Sequence, residues 1–254
     1  MNRNAWWMLV LAGMLAWGGR ADGAPTPARA AELRQRFEEG CRLAAEDRLE
    51  PALEVFAEIL REDGEARGSL LMSGLLENRR FRFAEAAGHL EQFVRLEPDH
   101  EQGLMGMVKA LHGCGRAGDA EPFRLRLHRL RQTGKSAKLA VMASYEREVI
   151  PLPGKGWVSV QEYFDEGELK PRWSWLQMKD ERTIQRRLQW VRLPESEAQL
   201  LRAGNPGLAP GPVFALSEPL YEGGEFRRTK IHQLLSGSAG YVELRQRVLA
   251  LLAQ

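Results

Sequence analysis

One alanine recurs three times at a fixed interval: Ala52, Ala86 and Ala120 stand 34 residues apart. Gly40 and Gly74 keep the same interval, as do Ile59, Phe93 and Leu127, and Leu53 with Ala87. A period of this length is that of stacked helix–turn–helix units, each too small to bury its apolar face alone. It constrains the architecture of residues 31–131 strongly and their activity weakly.

Hydrophobic spacing places the helices. Leu33, Phe37, Gly40, Cys41 and Ala44 share one face of a helix near Glu32–Glu46, and Ala52, Leu53, Phe56, Ile59 and Leu60 do so near Glu50–Arg61. The second unit reads Leu70, Leu71, Gly74 and Leu75, then Ala86, Leu90, Phe93 and Val94. Pro98 closes it, and Asp99, with Gln102 three residues on, is expected to cap the next helix. The third runs Leu104, Met105, Val108 and Leu111, then Ala120, Phe123, Leu127 and Leu130, with Gly115–Gly118 as its turn. The recurring glycines and alanines are expected where paired helices cross most closely, since a larger side chain would overpack the crossing at about 1–3 kcal/mol.

These residues resemble the tetratricopeptide repeat family. Gly40, Ala52, Phe56 and Ile59 match in the first unit; Gly74, Ala86, Leu90 and Pro98 in the second; Leu104, Gly115, Ala120 and Leu127, more loosely, in the third. Departures are Gly64 in place of a closing proline, Val108 where a small residue is usual, and Arg124 at a usually apolar place. The resemblance spans about 100 of the 254 residues. It implies a three-unit α-solenoid that binds a protein or peptide, though a fold alone is not a function. In this family the first helices of successive units line a concave groove. Carried over, the lining is Arg34, Phe37, Cys41, Leu71, Leu75, Asn78, Arg79, Gln102, Met105, Lys109 and His112. Members that grip the C-terminal carboxylate of chaperones place Lys and Asn at the groove positions held here by Phe37, Cys41, Leu75 and Met105; only Lys109 keeps a basic residue there. The expected ligand is an extended or helical peptide on Phe37, Leu71, Leu75 and Met105, with Lys109 and Arg79 fixing a carboxylate. The competing expectation is that this face packs on the rest of the chain.

The N-terminus reads as a targeting segment. Arg3 precedes an uncharged, largely apolar run from Ala5 to Gly19, followed by Ala-rich candidate cleavage sites. That order is a signal peptide over residues 1–24, or, uncleaved, a membrane anchor. The run falls short of the roughly 20 apolar residues that span a bilayer. Either way the remainder is expected in the periplasm or outside the cell. Formal net charge is +2, giving no sign of a nucleic-acid partner. The charge is uneven: residues 31–100 carry 10 Lys/Arg and 16 Asp/Glu, and residues 101–135 carry 7 and 3, which reads as solvated helix faces. Cys41 and Cys114 fall in non-adjacent repeats and are expected as separate thiols.

After a linker at 132–143 the texture changes. Gly134-Lys135-Ser136 is no phosphate loop, because Arg129 stands where the motif needs its first glycine. Tyr145–Ile150, Trp157–Phe164, Arg172–Met178, Thr183–Leu193, Val213–Ser217 and Glu225–Leu234 read as strands with Pro/Gly turns between them. Glu195–Ala203 reads as a short helix and Ala239–Leu252 as an amphipathic one. The expected fold class is therefore a three-unit α-solenoid followed by an α+β domain, 144–254, of antiparallel sheet and C-terminal helix. No HExxH, GxSxG or CxxC is present, so no catalytic residue, metal or cofactor is expected. The leading expectation is a non-enzymatic protein-interaction scaffold. The alternative is a ligand-binding (glycan or peptide) or hydrolytic C-terminal domain with the repeats as docking arm, using Trp157, Trp173, Trp175 and Trp190 as a platform beside acidic turns at Asp165–Glu168 or Asp180–Glu181.

Overall fold

The computed structural model describes residues 26–165, 167, 168 and 170–253; the expected signal segment, 1–24, lies outside them. The chain divides between Thr133 and Gly134 into two compact units.

The first unit is six helices: α1 (Pro27–Ala45), α2 (Leu49–Glu62), α3 (Arg67–Arg79), α4 (Phe83–Leu96), α5 (Glu101–Gly113) and α6 (Ala117–Gln132). Each packs on the next, and α1 on α3 and α3 on α5. The helix starts earlier than the apolar pattern in α1, because Pro27 takes the first helical position and the Thr26 hydroxyl accepts from the Arg29 amide at 3.3 Å.

The 34-residue period extends to the backbone hydrogen bonds. The amides of Arg48, Arg82 and Arg116 donate to the carbonyls of Leu43, Glu77 and Leu111 at 2.9, 2.9 and 2.8 Å. The residue before each, Asp47, Phe81 and Gly115, has φ of 67°, 61° and 74°. This is a left-handed helix stop closed by a six-to-one bond. Only Gly115 is indifferent to that conformation; at Phe81 it costs about 1–2 kcal/mol. Ala52, Ala86 and Ala120 then occupy the same fourth position of α2, α4 and α6, each fully buried.

The crossings explain the small residues. A Cβ on Gly40 would lie 2.6 Å from the Phe56 ring, and one on Gly74 only 2.4 Å from Leu90 Cγ. In the third unit the same pair is Val108, fully buried, and Arg124, which turns to Glu121 at 2.6 Å. The volume lost from the second helix is restored on the first. One expected cap differs: His100, not Asp99, precedes α5, its Nδ1 accepting from the Gly103 amide at 3.4 Å, while Asp99 takes Arg126 at 2.6 Å.

The second unit opens with a short helix α7 (Ala137–Val141), capped by Ser136. Strands β1 (Ser144–Pro151), β2 (Trp157–Tyr163), β3 (Pro171–Met178) and β4 (Ile184–Arg192) follow, then α8 (Glu195–Gly204), β5 (Val213–Glu222), β6 (Glu225–Ser236) and α9 (Tyr241–Ala253). The sheet is an antiparallel meander in chain order, β1 to β6. Period-two alternation puts Val158, Val160, Trp173, Trp175, Leu188, Trp190 and Leu216 on one face, where Tyr241, Leu244, Val248 and Leu252 of α9 cover them. At one end of the other face, α8 packs Ala198 on Val191 and Ala215. β5 runs beyond the expected Ser217 because Gly223 and Gly224, at φ of 60° and 85°, join it to β6 in a two-residue turn that prolongs the pairing, and β6 runs beyond Leu234 because Leu235 and Ser236 pair with Phe214 and Val213.

Candidate functional site

The first helices of the three hairpins lie side by side, and small residues let them approach. A Cβ on Gly68 of α3 would sit 2.8 Å from the Phe37 ring of α1. One on Gly106 of α5 would sit 3.1 Å from Leu75 of α3. Asn78 locks this second approach, its amide donating to the Gly106 carbonyl at 2.8 Å.

The expected lining residues divide by exposure. Leu71, Asn78, Gln102 and His112 are buried, and so is Cys41, whose thiol burial pushes up to about 12, far from a reactive thiolate. Phe37, Leu75, Arg79, Met105 and Lys109 remain partly exposed, and Arg34 is exposed. Phe37 leans on Phe56 with ring centroids 5.5 Å apart. Arg79 reaches Asp47 of the first turn at 2.8 Å, so its charge is matched within the chain. The apolar surface left accessible is therefore Phe37, Leu75 and Met105; Lys109, four residues after Met105 in α5, is partly exposed as well. Cys41 and Cys114 are both free thiols.

The sheet unit holds a buried ionic network that the hydrophobic pattern did not reveal. A bulge between Glu146 and Glu148 turns Arg147 and Glu148 onto the helix-covered face. Glu148 accepts from the Tyr241 hydroxyl at 2.5 Å and from Arg245 at 2.7 and 2.9 Å. Glu162 accepts from the Tyr145 hydroxyl at 2.6 Å and from Arg147 at 3.0 Å, and the Arg147 guanidinium lies 3.9 Å above the Tyr241 ring. Burial, reinforced by Glu148, pushes the Tyr241 hydroxyl well above its ordinary range. Two acids and two arginines satisfy one another, which pins α9 to the sheet rather than presenting groups to a substrate.

A second cluster forms on the same face. Arg186 grips Glu218 with two bonds, at 2.8 and 3.0 Å, and its other nitrogen donates to the Leu251 carbonyl at the end of α9. His232 Nε2 meets Glu218 at 2.7 Å. Among the described residues His232 has no nucleophile beside it, and Ser217 points to the opposite face. The Arg186 hydrogen bonds, aided by His232, hold the Glu218 carboxyl below the usual carboxylate range. A depressed folded value stabilises above the unfolded value and is lost as pH falls through the folded one. Glu218→Gln should therefore flatten the loss of stability between about pH 6 and about pH 3 that the wild type shows in urea titrations at each pH.

The aromatic platform does not form as a surface: Trp173, Trp175 and Trp190 are core residues under α9, and Trp157 is half-buried. Asp180 serves its turn, accepting from the Arg182 and Thr183 amides at 2.8 and 2.9 Å, bonds that lower its carboxyl. Asp165 and Glu168 are exposed, and Glu166 lies outside the described residues. Among the described residues no group of three or more His, Cys, Asp or Glu is placed to hold a metal ion, and no helix is long and apolar enough to cross a membrane. No protein-family model matches the chain, and no curated protein is significantly similar to it.

Proposed function

We propose that the chain is a non-enzymatic interaction scaffold of the tetratricopeptide-repeat type, working in the periplasm or outside the cell, with an extended or helical peptide lying across α1, α3 and α5. The observation that carries the reading is the row of partly exposed Phe37, Leu75 and Met105, set on helices that approach through Gly68 and Gly106, with Lys109 four residues after Met105 in α5. Apolar anchors give affinity, and a single cation fixes direction by taking a carboxylate. The catalytic alternative has less support, since the ionisable clusters of the sheet unit are occupied by one another.

The test is a peptide library screened against the full chain, followed by calorimetry on the selected sequences. Leu75→Glu with Lys109→Glu should weaken the selected peptides by about a hundredfold, the loss of one anchor and one charge pair of about 1–2 kcal/mol each. Selected peptides that bind the double variant unchanged would remove the groove from the account.

A further inference from the structure

The β5–β6 hairpin outruns the sheet. β4 pairs with β5 only from Gln189 to Arg192, opposite Phe214–Ser217, whereas β5 and β6 stay paired out to Glu222 and Glu225. Beyond Ser217 the hairpin is a two-stranded arm, and every residue from Glu225 to Ile231 is exposed.

The arm has two chemically distinct faces. Register puts Tyr221 opposite Phe226, Pro219 opposite Thr229 and Ser217 opposite Ile231, all on one face. Tyr221, Phe226 and Ile231 are 60%, 57% and 46% exposed, and the two rings meet edge to face at 6.0 Å. On the other face Arg228 lies opposite Leu220, and Lys230 opposite Glu218. Glu218 is already taken by Arg186 and His232. Arg227 reaches Glu222 and Glu225 at 3.4 and 3.6 Å. Among the described residues neither Arg228 nor Lys230 has an ion-pair partner.

The free edges differ in how they are guarded. β1, at one margin, is broken by its bulge, and the free edge of β5 carries Pro219, which has no N–H to offer. β6 is the other margin of the sheet; register shifts set bulges at Arg227 and His232, and between them Arg228–Ile231 is a regular, exposed run of edge. Because Pro219 cannot exchange hydrogen bonds with Thr229, the Thr229 amide is turned towards that open edge. Self-pairing is opposed by charge: a two-fold arrangement centred on any residue from Arg227 to Lys230 sets two cations directly opposite each other.

We propose that the outer edge of β6, from Arg228 to Ile231, takes up an extended acidic segment of another protein as an added strand. Main-chain bonds to that edge supply affinity, acids meet Arg228 and Lys230, and apolar side chains at alternate positions meet Thr229 and Ile231. Main-chain donors and acceptors along a strand edge are matched by the main chain of an extended peptide and not by a bilayer surface.

Fluorescence anisotropy on the full chain tests this with three labelled probes: alternating Glu/Val, alternating Lys/Val, and the Glu/Val composition reordered into blocks. The alternating Glu/Val probe should bind at least about tenfold tighter than the other two. Arg228→Glu with Lys230→Glu should reverse the preference towards Lys/Val. Thr229→Pro should weaken the acidic probe about tenfold while the near-ultraviolet signal of the buried tryptophans stays unchanged. Equal binding of all three probes overturns the proposal, as does no saturable binding up to about 1 mM, or binding to phosphatidylglycerol vesicles with none to peptide.

Discussion

Gly74→Val should cost the helical unit about 3 kcal/mol, the upper end of the overpacking range. Even the first carbon of the new side chain would stand 2.4 Å from Leu90 Cγ, well inside van der Waals contact. Leu90 is fully buried and has nowhere to retreat. The expected readout is an earlier urea midpoint in helical circular dichroism. Among the described residues every tryptophan lies in the sheet unit, so tryptophan fluorescence should move far less. The chain itself supplies the compensating design, because the third unit carries Val108 against Arg124 where the second carries Gly74 against Leu90. Adding Leu90→Ala to Gly74→Val should therefore recover part of the loss. A double variant no more stable than the single one would mean that the crossing is not what demands glycine.

Glu148→Ala should cost the sheet unit about 3–5 kcal/mol, the range for removing one partner of a buried ion pair. Glu148 is almost wholly enclosed and holds both Tyr241 and Arg245, in the first turns of α9. Without it a buried hydroxyl and a guanidinium lose their acceptor together. Glu148→Gln keeps the shape and an acceptor for Tyr241, so it should cost less than Glu148→Ala. The measurement is denaturant unfolding followed by tryptophan fluorescence, since Tyr241 stacks on Trp175 with centroids 6.4 Å apart. Equal, small effects from both variants would show the network to be dispensable.

Much of the architecture was legible because it depends on local periodicity. Ala52, Ala86 and Ala120 mark equivalent seats in successive helices, and the alternation of Val158 and Val160, or Trp173 and Trp175, marks the covered face of the sheet. Other features escaped because they are set by pairing across the chain. The bulge at Arg147 is invisible in a run that otherwise alternates, yet it alone brings Arg147 and Glu148 to α9. The extension of β5 past Ser217 depends on β6 continuing to match it. At the candidate site, spacing named a whole helix face, but burial separates Leu71 and Asn78 from the accessible Phe37, Leu75 and Met105. Arg79 likewise reads as a groove cation by spacing alone, but its partner Asp47 comes from the turn before α2, 32 residues earlier in the chain.

The most direct measurement follows the Met105 methyl resonance in methyl-labelled full-length chain during titration with a library-selected peptide. Met105 is one of the three apolar anchors of the proposed contact, on α5, whereas Met178 lies in β3. The account predicts a saturating shift of the Met105 signal, abolished by Leu75→Glu with Lys109→Glu, while Met178 stays still. A peptide that binds with equal affinity but shifts Met178 and leaves Met105 unmoved would contradict it.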